Sequence, residues 1–391
     1  MADNHTGTVY GAKPWLGPLP MQRVKRVNTP TTIITDAVQR IDMRNTAYGL
    51  AERGEYGPVV QRGVQVSLPG KYPLSAAQKD LVDHLSLVKP SPVAAHVAPI
   101  PEDPRVLTQH IKAAGYFLKA DIVGTCQVPG WAYYSHDRMG NPIDTRYANA
   151  VVIVMRKEWH AVRASAGSDW MGDPISFQAY AHLALVAETM ANYIRRLGWA
   201  ASPQYGPSFL DKYSVLIPPL LIWAGIGEVS RAGIVVNPYL GLGFKAAAIL
   251  TDMPLTPDRP IDFGLQRFCQ SCRICAENCP SHAIPTGDKV MYNGYETWKL
   301  DTRRCASYNF TNKRGTMCNR CVKSCPWTQP PTRPHNLVRA LAMHSRLAQT
   351  IAIRSARLLG LGRSRPGEKW WFDIVYEGEG LVEAAEGKPS A

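Results

Sequence analysis

Cys269-Gln-Ser-Cys272-Arg-Ile-Cys275-Ala-Glu-Asn-Cys279-Pro280 is the stretch that decides how this chain is read. Its spacing is CxxCxxCxxxCP. Three thiolates set two residues apart are turned inward by a short loop and can wrap one corner of an iron–sulfur cubane. A fourth, followed by proline, usually turns to a different cluster. A second group follows: Cys305, Cys318, Cys321 and Cys325. By the crossed pattern, Cys269, Cys272 and Cys275 share one 4Fe-4S cluster with Cys325, and Cys279 joins Cys305, Cys318 and Cys321 on the other. Structural zinc and disulfides are the plain alternatives. Zinc sites pair two CxxC units across a longer loop, and three tight repeats ending in Cys-Pro do not have that spacing.

At 391 residues the chain is too long for a ferredoxin alone and suggests two or three domains. A hydrophobic content of 45% supports a packed core. Of nine cysteines, only Cys126 lies outside the two groups. That is the usage of a reducing compartment, where thiols serve metals rather than disulfides, and Cys126 reads as a small buried residue. The formal charge of +13 counts the thiolates as neutral, so the loaded protein is less basic. Such a balance suits nucleic acid, an anionic membrane surface or an acidic protein without choosing among them.

No export signal or membrane span is legible. Lys13, Arg23, Lys25 and Arg26 are scattered, with no twin arginine and no apolar core to follow. The apolar run 215–227 contains Pro218-Pro219 and falls short of the roughly twenty residues a span needs. The expectation is a cytoplasmic protein.

Residues 1–100 read as an irregular N-terminal arm, in which segment 41–50 could bring Tyr48 to a substrate pocket. Residues 101–262 alternate between helix and strand, the pattern of an α/β (α+β) domain. A helix is expected over 104–114, a strand from Tyr116 to Val123, and a β-branched buried strand over 148–155. The clearest helix runs from Pro174 to Leu197, with Asp173 as N-cap and Gly198 as its stop. Tyr180, Leu183, Ala187, Met190, Ile194 and Leu197 step by three and four and form one apolar seam. On spacing alone Tyr180 is a core tyrosine with a satisfied hydroxyl. Gly225-Ile-Gly227-Glu-Val-Ser-Arg231-Ala-Gly233 is not GxGxxG. Its residues Gly225, Gly227, Arg231 and Gly233 could bring the backbone close to a large cofactor or simply make a tight turn. Lys245 stands in an otherwise uncharged stretch.

The cluster domain takes residues 263–330, and 331–391 hold a basic helix and an acidic tail. The helix is expected over 336–361, and between His335 and Pro366 Arg339, Arg346, Arg354, Arg357, Arg363 and Arg365 occur without an acid. Glu377, Glu379, Glu383 and Glu386 mark the tail. The plain reading is a solvated face and a clasp of opposite charges.

With an α/β domain ahead of a two-cluster module, the chain resembles the cobalamin-dependent reductive dehalogenases. The resemblance covers most of residues 30–330. It rests on Ile41 to Leu50, the helix around Tyr180, Ala224-Gly-Ile-Gly-Glu-Val-Ser-Arg-Ala-Gly233 and the two cysteine groups. It implies a nitroreductase-like core holding base-off cobalamin, consistent with the absence of a DxHxxG motif. It also implies two site residues. The family's proton donor lies early in a helix ending like Arg195-Arg196-Leu197-Gly198, which places it on Tyr180, and the neighbouring basic residue falls on Lys245.

The implied reaction removes halide from a small organohalide. The clusters feed a strongly reducing cobalt, and Tyr180 supplies a proton, its phenolate being stabilised by the nearby ammonium. The arginine-rich helix suggests an external ferredoxin or flavodoxin as electron donor, and no nucleic acid is expected as a partner. Segment 204–214 looks longer than in respiratory members, and no fused reductase follows the clusters. Two other readings compete. Epoxyqueuosine reductase shares the cobalamin and both clusters but usually carries helical repeats after them. A non-catalytic iron–sulfur electron-transfer subunit would use the α/β part for docking.

Overall fold

Asn149-Ala-Val-Val-Ile-Val-Met-Arg156 forms the middle of the molecule, because β-branched side chains favour the pleated backbone and pack well on both of its faces. In the computed structural model, which describes residues 17–383 apart from 68, 69, 166, 168, 208–211, 314, 316, 331, 364, 378 and 379, this run is the strand Asn149–Arg156. It pairs with Ile122–Gln127 on one side and Phe244–Thr251 on the other, and Ala201–Gln204 closes the sheet beyond the latter. Every pairing is antiparallel, so the mixed fold is of the α+β kind. The register sets Met155 opposite Lys245.

Successive strand residues face opposite ways. Val151, Ile153 and Met155 enter one core with Leu183, Ala187, Met190 and Ile194 of the long helix. Ala150, Val152 and Val154 enter the other, with Leu220, Leu221, Phe263 and Phe268. Each fully buried Val or Ile contributes about 1.5–3 kcal/mol relative to exposure, so both layers are held to one strand. Cys126 lies in the second core, a small buried residue of the strand Ile122–Gln127.

The long helix, Gly172–Arg196, starts two residues earlier than the sequence suggests. Its N-cap is Met171, without a side-chain cap bond, and Asp173 is buried inside the first turn. A carboxylate there meets the partial positive charge of the free N–H groups, which is why it resembled a cap. Gly198 ends the helix with φ 108°. The strand expected from Tyr116 is a correction. The preceding helix runs on through Pro104–Phe117, and the chain turns only at Lys119, φ 71°, before the strand begins at Ile122. The run 215–227 holds the short helix Ile217–Trp223, with its prolines in the first turn. Among the described residues no helix is long and apolar enough to cross a membrane.

The N-terminal arm is irregular only in part: residues 23–42 and 87–100 lack regular helix or strand, but the stretch between them does not. It forms the helices Ala47–Glu52, Pro58–Ser67 and Pro73–Ser86. Proline opens two of these helices rather than breaking them, so its frequency misleads. Pro58–Ser67 packs on Thr302–Thr311, with Gly63 against the Phe310 backbone. At the other end, the single helix expected over 336–361 is two, Arg333–His344 and Arg346–Leu358, and the Ser345 side chain caps the second. Glu377 and Glu383 fall in a two-stranded hairpin, while Glu379 and Glu386 lie outside the described residues.

Candidate active site

The helix Leu265–Cys272 carries Cys269 and Cys272 on its buried face. Arg273, at φ 53°, then reverses the chain so that Cys275 lies in the next turn, Ile274–Glu277. These three thiols and Cys325 line one small cavity with Phe268 and Trp327. Burial pushes the Cys272 thiol up to about 11, and Cys275 and Cys325 up to about 12. Thiols this dry stay protonated until a metal displaces the proton.

Cys279, Cys305, Cys318 and Cys321 line a different cavity of about 330 Å³. Asn309 ties this group together: its Nδ2 donates to the Cys305 carbonyl at 3.0 Å, and its Oδ1 accepts from the Cys318 N–H at 2.7 Å. At Cys279 burial opposes ionisation, but hydrogen bonds from Ser281, Ala283 and Ile284 outweigh it and lower the thiol. The two crossed sets thus separate in space, yet Cys321 feels the charge of Cys275, so they are neighbours. Among the described residues no three His, Cys, Asp or Glu side chains converge on a single ion. A cubane asks for nothing of the kind, since each of its corners takes one thiolate.

Tyr180 and Lys245 line the same cavity as this second cysteine set. Lys245 is the second residue of the strand Phe244–Thr251, and its Nζ stands 4.6 Å from the centroid of the Tyr180 ring, within cation–π range. Tyr180 is half-buried and also closes an outer chamber of about 300 Å³. The two chambers share Tyr180, Tyr213, Ile217, Pro218, Asn309 and Met317. Tyr48 lines the outer one from the helix Ala47–Glu52, whose first turn the Thr46 side chain caps. Its ring meets Phe310 edge-on at 5.3 Å. Burial, and then the nearby Tyr180 and Asp173, raise its phenol.

Lys157 and Tyr213 were missed by sequence reasoning. Lys157 is 5% exposed, and its Nζ donates to Asn319 Oδ1 at 2.7 Å. Asn319 Nδ2 donates in turn to the Gly172 carbonyl at 3.2 Å, tying the cysteine loop to the start of the helix that carries Tyr180. Burial, followed by the Lys245 charge, pushes the Lys157 amine well below the ordinary lysine range. Its only trace in the sequence is a lysine ending a strand too apolar to finish at the surface.

The glycine-rich stretch corrects part of the expectation. A Cβ at Gly225 would lie 1.9 Å from Arg26 Nη1 and 2.2 Å from the Arg259 carbonyl oxygen, so protein already occupies the space a cofactor would need. At Gly227 the Val236 carbonyl oxygen stands 2.4 Å from such an atom, within the hairpin of Glu228–Val229 and Val235–Val236. Arg231 is fully buried. It donates to the carbonyls of Cys269 (3.0 Å), Pro285 (2.9 Å) and Gly287 (2.7 Å), and its guanidinium stacks over Trp298. It clamps the first cysteine loop and lines the small cavity, not the large one. Gly233 lines neither cavity; its ideal Cβ position lies 3.2 Å from the Cβ of Leu300, which lines the larger one.

Residues 268–329 match the 4Fe-4S dicluster domain family. The tetrachloroethene reductive dehalogenase of Desulfitobacterium hafniense is 31% identical over 202 residues, 49% of this chain and 35% of that protein. A catabolic reductive dehalogenase solved in complex with 3-bromo-4-hydroxybenzoic acid superposes with a TM-score of 0.89 at 34% identity, over 94% of this chain and 53% of that one. A second solved reductive dehalogenase, described as suggesting a mechanism for B12-dependent dehalogenation, gives 0.88 at 33% identity over the same shares. The chain therefore spans about a third of the curated relative and about half of the solved ones. Nearly the whole of this chain shares its fold with the solved reductive dehalogenases at about a third sequence identity, so the reductive dehalogenases are the proteins it is similar to along its length.

Proposed function

We propose that this chain is a cobalamin-dependent enzyme that removes halide from a small organohalide, with Tyr180 as proton donor. The observation that carries the reading is the Lys245 ammonium over the Tyr180 ring, both lining a cavity that the second cysteine set also lines. The lining suits a broad, flat cofactor that takes no protein ligand. Ile217, Pro218, Leu221, Leu242 and Phe244 give apolar walls, and among the described lining residues there is no histidine and no cysteine beyond the cluster set. A solved relative of the same fold is described in terms of B12.

Cobalamin, when bound, supplies the strongly reducing cobalt at which a carbon–halogen bond is broken. This chain's residues do the rest. Tyr48, Phe177, Tyr213 and Phe310 surround the outer chamber with rings and orient a planar haloarene or haloalkene towards Tyr180. Two electrons and one proton enter, a C–H bond replaces the carbon–halogen bond, and halide leaves. Tyr180 gives the proton from its hydroxyl, and Lys245 stabilises the phenolate that remains. The neighbouring cysteine sets hold clusters whose potentials can reach roughly −700 mV, low enough for the task.

The test is anaerobic reconstitution followed by cobalt and iron analysis and halide release driven by titanium(III) citrate. The substrates are 3-bromo-4-hydroxybenzoate and tetrachloroethene. Stoichiometric cobalamin and cobalamin-dependent halide are expected. Protein with full iron that binds no cobalamin would overturn the reading in favour of an electron-transfer subunit.

A further inference from the structure

The helices Arg333–His344 and Arg346–Leu358 bury one side each and leave the other uncovered. In the second, Gln349, Ile353 and Ala356 turn inward. Gln349 Nε2 donates to the Ala342 carbonyl at 2.9 Å and the Gly264 carbonyl at 3.3 Å. This fastens the pair to the start of the helix that carries Cys269 and Cys272. The opposite side is a stripe at helical spacing: Leu347, Ile351, Arg354 and Leu358. Leu347 is 70% exposed, Ile351 55% and Leu358 88%, and Leu337 and Leu341 on the first helix are exposed as well. Contiguous exposed apolar side chains of this kind mark interaction surfaces.

Two further observations select the partner. Arg346, Arg354 and Arg363 are exposed around the stripe, and the sequence from 336 to 365 holds no acid. On the flank, Arg357 donates to the Cys272 carbonyl at 3.2 Å and pairs with Glu277 at 2.6 Å. The stripe therefore adjoins the loop of the first cysteine set, whose Arg273 is exposed between Cys272 and Cys275. The second set faces the Tyr180 cavity instead.

We infer that this surface docks a small acidic electron-carrier protein, which passes single electrons to the cluster held by Cys269, Cys272, Cys275 and Cys325. The inference rests on the two-cluster part of the reading above and not on the carbon–halogen chemistry. An acidic rim on the carrier meets the exposed arginines and speeds encounter, while an apolar centre covers the stripe. In each transfer the carrier is oxidised by one electron and the cluster reduced by one. An anionic bilayer or a second copy would also cover the stripe, but neither accounts for its place beside a cluster loop. Two of the expected arginines play no part. Arg339 is 3% exposed and bonded to Asn336 Oδ1 and the Gln329 carbonyl, and Arg357 is held by Glu277.

The experiment is stopped-flow reduction of the cluster-loaded protein, read from cluster bleaching. The probe is a reduced acidic plant-type ferredoxin, and dithionite is the small reductant. The variant is Ile351→Asp with Arg354→Glu, neither of which touches a cysteine or a cavity. The ferredoxin rate constant should fall about tenfold or more and lose its salt dependence, with dithionite reduction and iron content unchanged. Equal ferredoxin rates for variant and wild type overturn the inference. So does failure of ferredoxin to reduce wild type that dithionite reduces. Sedimentation and flotation with phosphatidylserine-containing vesicles test the other occupants. A dimer or vesicle complex that the variant dissolves assigns the stripe to a second copy or to lipid, and not to a carrier. Halide release is not read, so the dehalogenase reading can fail without touching this result.

Discussion

A phenol that must give up its proton does so at lower cost when the charge left behind is met by an ammonium. Tyr180 has that partner in Lys245. Tyr180→Phe should therefore lower halide release by about a hundredfold to ten-thousandfold, the usual cost of losing a general acid. The ring still fills its place, so cobalamin and iron contents should stay at the wild-type level. Lys245→Ala should also slow turnover, and the double variant should lose less than the product of the two effects, since parts of one proton-delivery unit do not add. Unchanged halide release by Tyr180→Phe with titanium(III) citrate as reductant would remove Tyr180 from the chemistry. Arg231 makes a different residue-scale prediction. Arg231→Gln leaves the carbonyls of Cys269, Pro285 and Gly287 short of donors inside the protein. Each buried unmet group costs about 1–3 kcal/mol. Iron should be lost from the first cluster on dilution before the second, as followed by EPR.

At the scale of elements, the long helix shows what periodicity can and cannot reveal. The seam of Leu183, Ala187, Met190 and Ile194 was legible, because burial on one face imposes a 3.6-residue rhythm whatever the partner. That Tyr180 leaves the core at the seam's end and enters a cavity wall was not legible, since a rhythm records which face is inward and not what lies there. The strand opposite Lys245 could be recognised, but the register that brings Lys157 near Lys245 is a property of the pairing and not of either segment. Leu183→Ala should cost about 2–5 kcal/mol in denaturant unfolding, as large-to-small changes in packed cores do. Leu185→Ala, at a position 55% exposed, should change stability by no more than about 0.5 kcal/mol. A similar loss at both positions would mean the helix is packed on both sides.

For the whole molecule, the arrangement of cysteines into two cavities was the most readable feature, because ligand spacing is fixed by the geometry of the cluster and not by the rest of the fold. The outer chamber beside Tyr180 and Tyr48 was the least readable. Its walls come from the N-terminal arm, the loop holding Tyr134 and Arg138, the long helix, the segment leading into Ile217–Trp223, the helix Thr302–Thr311 and Met317 beyond it, parts of the chain with no common pattern. Loaded protein should contain about eight irons and eight sulfides per chain. Cys325→Ala should lower the iron by about half and remove the EPR signal of the cluster shared with Cys269, Cys272 and Cys275, leaving the other signal in place. Loss of both signals together, or of the second alone, would contradict the crossed arrangement.

That crossing also bears on biosynthesis. When Cys279 leaves the ribosome, the chain holds three ligands of one set and a single ligand of the other, and neither set is complete. The set lining the Tyr180 cavity closes first, when Cys321 emerges, and the outer set closes only with Cys325. Both clusters are consequently finished almost at the same moment of synthesis, after the whole sheet has been made.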